Sequence, residues 1–203
     1  ALLLAAAPLV LFGLLAAERA RFYQHRGVAP LSVLRAAMTN VVSGTQQGAG
    51  TITMQVARNF FLTREKTLTR KLREVLLAWK IEANLTKDEI LELYVNQIFL
   101  GQRAYGFAAA AQIYFGKPLK DLSPAEAAML AGLPKAPSAF NPVTNPKRAK
   151  IRQEYVLRRM HDLRYLSDAE HEQARNAPLA IRQGVRESVP VRAAFVAEMA
   201  RQV

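Results

Sequence analysis

The segment TRKLREVLLAWKIEANLTKDEILELYVNQI, residues 69–98, carries the pattern that decides the fold. Within residues 69–83, apolar side chains recur at the i, i+3, i+4, i+7 spacing of a helix. They are Leu72, Val75, Leu76 and Trp79. Thr86 and Glu89 then form a capping box, which predicts a second helix running to about Ile98. Two consecutive helices are therefore predicted here.

Helix signals continue on both sides of this segment. Residues 51–62, TITMQVARNFFL, also repeat apolar side chains at helical spacing. A capping box at residues 123–126, with Pro124 at the first helical position, predicts another helix. A long basic helix is predicted over about 146–163, and SDAE at 167–170 starts a short last one. No segment alternates at period 2, so we predict an essentially all-α domain.

Two segments are predicted to be loops. GTQQGAG, residues 44–50, holds three glycines in seven residues and is expected to be mobile. LPKAPSAFNPVTNP, residues 133–146, contains four prolines and is excluded from regular helix.

Composition narrows the class of protein. A chain of 203 residues is long enough for one well-buried domain. Its 28 Lys and Arg against 16 Asp and Glu give a formal charge of +12, which indicates a polyanionic partner: nucleic acid, an anionic membrane or a phosphorylated substrate. The absence of cysteine excludes disulfides, thiolate metal sites and a cysteine nucleophile. Three histidines without HExxH, and no glycine-rich phosphate loop, give no support to a transition-metal or nucleotide site.

The chain begins with an apolar segment, residues 1–17. It is shorter than the roughly 20 residues of a membrane span, contains Pro8 and Gly13, and has no basic flank before it. Three interpretations fit this segment: the tail of a truncated span, an interfacial helix, or a buried first helix.

Glu18 follows this apolar segment directly and is the first candidate for catalysis. Apolar surroundings would raise the pKa of its carboxyl, whereas nearby Arg19, Arg21 and His25 would lower it. That balance can tune a general acid or base. The alternative is that Glu18 faces water at the end of a helix.

Glu74 is the second candidate. On a helix, Lys66, Arg70 and Glu74 fall at i, i+4, i+8, with Arg73 adjacent, on the face opposite the apolar stripe. Such a face suits a diphosphate, since guanidinium groups bind phosphate oxygens and the carboxylate could place a divalent cation. Arg58 could extend the cationic patch. The alternative is a solvated face of i,i+4 salt bridges.

The aromatic and small residues of the segment 91–117 are most simply core. Asn96 is the exception, because an amide inside an apolar run needs a hydrogen-bonding partner.

Five motifs, read in order, resemble those of the family 51 peptidoglycan glycosyltransferases, the transglycosylase domain of class A penicillin-binding proteins. The motifs are ERARFYQHRG, GAGTITMQVARN, RKLRE, ELYVNQIFLG with YGFAAAAQIYFGK, and LAGLPKAPSAFNP. The resemblance implies a glycosyltransferase domain at 18–175, after the apolar segment 1–17. Residues 176–203 resemble the linker toward a transpeptidase domain, which is absent from the sequence.

The resemblance implies a lysozyme-like fold with a smaller, membrane-associated jaw. It implies polymerisation of lipid II into β-1,4 glycan at the outer (periplasmic or extracellular) face of the bacterial plasma membrane, by an inverting displacement of the lipid diphosphate. Glu18 matches the general base, and Glu74 the second glutamate near the diphosphate, where a divalent cation, Mg²⁺ or Mn²⁺, is expected. The positions expected to bind substrate are Thr51, Gln55, Arg58, Lys66, Arg70, Arg73 and Asn96.

The expected partners are lipid II, the growing glycan strand, membrane lipids, moenomycin-type inhibitors and other proteins of cell-wall synthesis. Nucleic acid is not expected, because the aromatic residues fall in helical core patterns rather than on a stacking platform.

Four positions depart from the family pattern. Arg19 and Ala29 stand where the family usually has Asp, Gly50 where it has Ser, and Met54 where Gln is frequent. Arg19 and Gly50 raise an alternative function: a catalytically impaired domain that binds lipid II or serves as a scaffold.

Overall fold

The computed structural model describes residues 8–18, 22–24, 51–61 and 68–182. The helices are α1 Pro8–Glu18, α2 Ile52–Phe61, α3 Leu68–Asn84, α4 Lys87–Gln97, α5 Phe107–Phe115, α6 Pro124–Gly132, α7 Pro146–Asp162 and α8 Asp168–Asn176. Single 3₁₀ turns lie at Phe22–Gln24, Leu119–Asp121 and Leu133–Lys135. Within these described ranges, extended pairing is limited to one bridge between Phe99 and Tyr105. The prediction of a mainly helical domain is confirmed, while the described residues do not show the jaw.

Capping boxes begin α4, α6 and α8, as the sequence predicts. The hydroxyls of Thr86, Ser123 and Ser167 each accept a hydrogen bond of 3.3 Å from the backbone N–H three residues later. In each case the glutamate at that third position accepts the backbone N–H of the cap, at 2.7–2.9 Å. This reciprocal bonding satisfies backbone donors that a helix start would otherwise leave open.

The proline-rich segment 133–146 is not regular α-helix, as predicted: a 3₁₀ turn is followed by further turns until Pro146 begins α7. The predicted glycine-rich loop 44–50 lies outside the described residues.

The apolar helix α1 packs against α6 and α7. Val10 and Leu14 are buried, and the Phe12 ring stacks on Tyr165 with centroids 4.6 Å apart. Gly13 permits the close approach, since a Cβ there would lie 2.9 Å from the Cβ of Ala131. Because Val10 and Leu14 are buried, the apolar side chains of α1 contribute to the protein core. No helix in the described part of the chain has both the length and the hydropathy of a membrane span.

The aromatic residues of α4 and α5 form much of the remaining core, as predicted, whereas Phe99 and Tyr105 in the loop between these helices are exposed, so the prediction of a core position is wrong for those two. Tyr94 and Tyr114 are buried, and the hydroxyl of Tyr114 donates to the carbonyl oxygen of Leu100 at 2.8 Å. The core thus accommodates large rings because their polar ends have partners.

Gly106 joins α4 to α5 in a backbone conformation that is essentially restricted to glycine, with φ +80° and ψ 157°. A Cβ at this position would clash with the backbone carbonyl oxygen of Asn96. Backbone atoms cannot move aside as a flexible side chain can, so the chain needs a glycine here.

We expect Gly106→Ala to lower the free energy of unfolding by about 2–4 kcal/mol, since it combines an unfavourable φ with a backbone clash. Urea denaturation followed by circular dichroism measures this change. Gly116→Ala is the matched control, because its φ is also positive but its Cβ would meet the movable side chain of Arg182. A control that loses as much stability as Gly106→Ala would contradict the role of the backbone clash.

Candidate active site

Glu18 is the last residue of α1, so the packing of that helix holds its backbone. The side chain of Glu18 lies outside the described part of the structure, as do Arg19, Arg21 and His25. Four residues after Glu18, the Phe22 ring is buried. The chain is thus anchored by core contacts on both sides of the candidate base.

Tyr23 supplies a second anchor after Glu18. Its hydroxyl donates to Asp88 Oδ1 at 3.0 Å, which ties this segment to the start of α4. Partial burial, then the hydrogen bond to Asp88 and the charge of that carboxylate, raise the pKa of Tyr23 to about 12. The phenol therefore remains a hydrogen-bond donor at neutral pH.

Helix α2 carries three of the predicted substrate-binding residues. Thr51 precedes the helix and is fully buried, and its hydroxyl accepts the backbone N–H of Met54 at 3.1 Å, which closes the first turn. Gln55 is half-buried, and its Oε1 accepts the hydroxyl of Tyr94 at 3.3 Å. Arg58, one turn further, is exposed. Gln55 and Arg58 therefore lie one turn apart, the first held by α4 and the second open to solvent.

Glu74 lies on α3 with only 2% of its surface exposed, although Arg73 beside it is exposed. The alternative of a solvated salt-bridge face is therefore wrong for Glu74. Lys66 lies outside the described residues, and of Arg70 only the helical backbone is described. The predicted spacing of Lys66, Arg70 and Glu74 is therefore not tested, and Arg73 is the neighbouring cation whose side chain is described.

Three of the four apolar side chains in the α3 stripe face solvent, and the fourth, Val75, is half-buried. Leu72, Leu76 and Trp79 are 60%, 52% and 55% exposed. A helix usually turns such a stripe inward, but here α3 packs against α2 through its other side, where Ala78 is buried. This orientation turns the carboxylate of Glu74 inward and leaves an apolar surface outside.

Asn96, predicted to need a hydrogen-bonding partner because of its apolar neighbours in sequence, does not need one from the protein. Asn96 lies on the exposed side of α4, where water can satisfy its amide. Its backbone carbonyl, rather than its side chain, makes the tight contact with Gly106.

A polar chain that sequence reasoning missed joins α2, α3 and α4. Thr53 Oγ1 donates to Glu82 Oε1 at 2.5 Å, and Lys87 Nζ donates to the same oxygen at 2.6 Å. Lys87 Nζ also lies 4.6 Å from the centroid of the Phe22 ring. The sequence held one signal for this pairing. Glu82 lies in the last turn of α3 and Lys87 is the first residue of α4, so each charge interacts unfavourably with the dipole of its own helix.

A divalent cation is compatible with the buried Glu74. Within the described ranges, no group of three or more His, Cys, Asp or Glu residues could hold a metal ion. Mg²⁺, however, is usually bound by one or two carboxylates together with substrate phosphates and water. One carboxylate facing a diphosphate would therefore suffice.

The cavity between α7 and α8 is separate from these residues. It has a volume of about 280 Å³ and is lined by Glu154, Leu157, Arg158, His171 and Arg175. None of the predicted site residues lines it.

Comparison with known proteins agrees with the motif order. Residues 5–161 match the transglycosylase family model. The chain is 60% identical to penicillin-binding protein 1A of Neisseria meningitidis over 93% of its length, and spans about a quarter (24%) of that relative. It is also 60% identical, over 82% of its length, to a Cupriavidus necator protein described as a transglycosylase, of which it covers 72%. A crystal structure of penicillin-binding protein 1A from Haemophilus influenzae superposes with a TM-score of 0.50 at 37% identity, covering 74% of this chain and 20% of that one.

Proposed function

This chain belongs to the transglycosylase family, the family 51 glycosyltransferase domain of class A penicillin-binding proteins, and from that premise we propose that it polymerises lipid II into β-1,4 glycan strands. The substrate would be the lipid-linked disaccharide diphosphate together with the growing strand. Moenomycin-type inhibitors would compete for the same site, and other cell-wall synthesis proteins would act beside it. The proposed location is the outer face of the bacterial plasma membrane.

The observation that carries the proposal is the burial of Glu74. Glu74 lies on α3 with 2% of its surface exposed, and α3 packs against α2, the helix that carries Gln55 and Arg58. A buried acid beside polar and cationic side chains is the kind of group that functional sites retain. Its position within the RKLRE motif agrees with a role near the diphosphate.

In the proposed mechanism, Glu18 removes the proton from the attacking 4-hydroxyl of the acceptor sugar. The oxygen attacks the anomeric carbon as the bond to the lipid diphosphate breaks, so the α-linked donor gives a β-linked product in one displacement. This requires one base and a stabilised leaving group, and no covalent bond to the protein.

The departing diphosphate carries the charge that develops in the reaction. Arg58 and Arg73, both exposed, are proposed to bind its oxygens, together with Lys66 and Arg70 of the same motif region. Glu74 is proposed to hold a divalent cation against the diphosphate, and that cation would supply charge neutralisation. Thr51, Gln55 and Asn96 are proposed to orient the sugars and donor.

Purified protein incubated with lipid II and Mg²⁺ tests the proposal, with the products separated on gels that resolve glycan strands. Polymer of several units or more is expected. Binding of lipid II without polymer would contradict the proposal and support the impaired domain suggested by Arg19 and Gly50.

The exposed stripe of α3 supports the membrane part of the proposal. Leu72, Leu76 and Trp79 form an apolar face with exposed Arg73 and Lys80 at its side. Apolar side chains flanked by cations are typical of helices that lie on an anionic lipid surface. We propose that this face contacts the membrane that holds the substrate.

Trp79 is the only tryptophan of the chain, so its fluorescence reports on this face directly. We expect a blue shift when phosphatidylglycerol vesicles are added, and a roughly tenfold weaker partition for Leu76→Ser, because a buried leucine side chain contributes about 1.5–3 kcal/mol. Ile151→Ser is the control, since Ile151 is 68% exposed on α7. An unshifted spectrum, or equal loss in the control, would contradict membrane contact through α3.

A further inference from the structure

Lys87 and Glu82 meet at the junction of three helices and the segment after Glu18. Their side chains are 19% and 10% exposed, so the ion pair is largely shielded from water. Charge pairs in such surroundings keep a defined geometry better than exposed ones, because solvent competes less for each partner.

The pair makes two further contacts that reach different parts of the chain. Glu82 accepts a hydrogen bond from the hydroxyl of Thr53, which is fully buried on α2 two residues before Gln55. The ammonium group of Lys87 lies over the ring of Phe22, four residues after Glu18. One pair therefore connects the helix of the substrate-binding residues to the segment of the candidate base.

The charges of the pair do not favour their own helices. Glu82 lies in the last turn of α3, where the dipole disfavours an anion, and Lys87 is the first residue of α4, where it disfavours a cation. The attraction between the two charges, together with the cation–π contact of Lys87 with Phe22, offsets both unfavourable placements. The positions of these two charges are therefore explained by contacts between helices and not by the stability of either helix.

We propose that Lys87 and Glu82 are positioning residues for Glu18: Lys87 holds Phe22 at the start of α4, and Glu82 joins Lys87 to α2, so that the base is directed at the substrate on Gln55 and Arg58. This inference rests on the proposed function. A displacement of about 1 Å at a reacting group can cost on the order of 10²-fold in rate, so a loosened Phe22 should slow the chemical step without preventing binding.

Lys87→Met tests this, because methionine retains much of the side-chain length but not the ammonium group. We expect kcat to fall about 10- to 100-fold, the KM for lipid II to change less than about twofold, and the thermal midpoint to fall by only a few degrees. Lys87→Arg keeps the ion pair and the cation over the ring, so it should recover at least about a third of the wild-type kcat. Lys120→Met, an exposed lysine away from the pair, is the matched control.

A second variant tests the proposal in case Lys87→Met does not fold. Glu82→Gln keeps the side-chain size and an oxygen acceptor, and should lower kcat in the same direction but less. The double variant should be no slower than Lys87→Met alone, because the two residues act as one unit.

The outcomes separate the two proposals. No polymer from the wild-type chain overturns the proposed function and this inference with it. Full activity of Lys87→Met beside an active wild type overturns the inference alone. Three other results would also overturn the inference alone. They are a rise in KM without a fall in kcat for Lys87→Met, a loss of its activity in proportion to the loss of folded protein, and a kcat of Lys87→Arg as low as that of Lys87→Met.

Discussion

Replacing Glu18 with glutamine is expected to lower the rate of glycan polymerisation by about 10²- to 10⁴-fold, the usual contribution of a general base. The amide has nearly the same shape as the carboxylate but cannot take up the proton of the acceptor hydroxyl. Binding of lipid II should remain within a few-fold of the wild type, because the diphosphate is held by other side chains. The measurement is initial polymerisation rate with binding determined in parallel.

Glu154→Gln is the control for this substitution, since Glu154 is exposed on α7 and distant in sequence from every motif glutamate. It should polymerise at the wild-type rate. Glycan made by Glu18→Gln at a similar rate would remove Glu18 from the role of base, whatever the family resemblance implies.

Glu74→Gln is expected to lower kcat/KM by about 10²- to 10³-fold, the range seen when one group that stabilises developing charge is removed. The glutamine fits the same buried position, so the thermal midpoint should change by only a few degrees. The concentration of Mg²⁺ needed for half-maximal activity should rise, because a neutral amide is a weaker cation ligand than a carboxylate.

A titration with Mg²⁺ at saturating lipid II distinguishes this role from a structural one. If Glu74→Gln lost activity together with its folded structure, or kept the wild-type Mg²⁺ dependence, the proposed contact with a diphosphate-bound cation would be refuted. The control is again Glu154→Gln, which should leave both the rate and the Mg²⁺ dependence unchanged.

The local chemistry of the chain made its helices predictable. A capping box depends on residues three apart, so Thr86, Ser123 and Ser167 could be assigned as helix caps without any tertiary information. The prolines of 133–146 exclude helix for equally local reasons.

Orientation was harder to predict because it depends on what surrounds a helix. The periodicity of α3 locates an apolar stripe, but it cannot say whether that stripe faces the core or lies outside, as Trp79 does. The need of the Asn96 amide for a partner cannot be judged from sequence for the same reason, since its buried neighbours in sequence lie on another face of α4. The apolar character of α1 likewise fits lipid and protein surroundings equally well.

Glu18 is singled out by its place after an apolar segment and Glu74 by the cations around it, but for both residues these surroundings leave a solvated position open as an alternative. The ordered motifs are what assign each glutamate a role. The pairing of Glu82 with Lys87 across a helix boundary needed the structure, because Thr53 and Phe22 are distant from both in sequence.

The inward carboxylate and outward apolar stripe of α3 have a consequence for how the substrate is reached. Glu74 is two residues from both Leu72 and Leu76, which corresponds to about 200° around the helix axis. The carboxylate and the apolar stripe therefore lie on opposite sides of a helix roughly 10–12 Å in diameter. On the proposed function, the thickness of a single helix would set the height at which the diphosphate is held above the lipid tails.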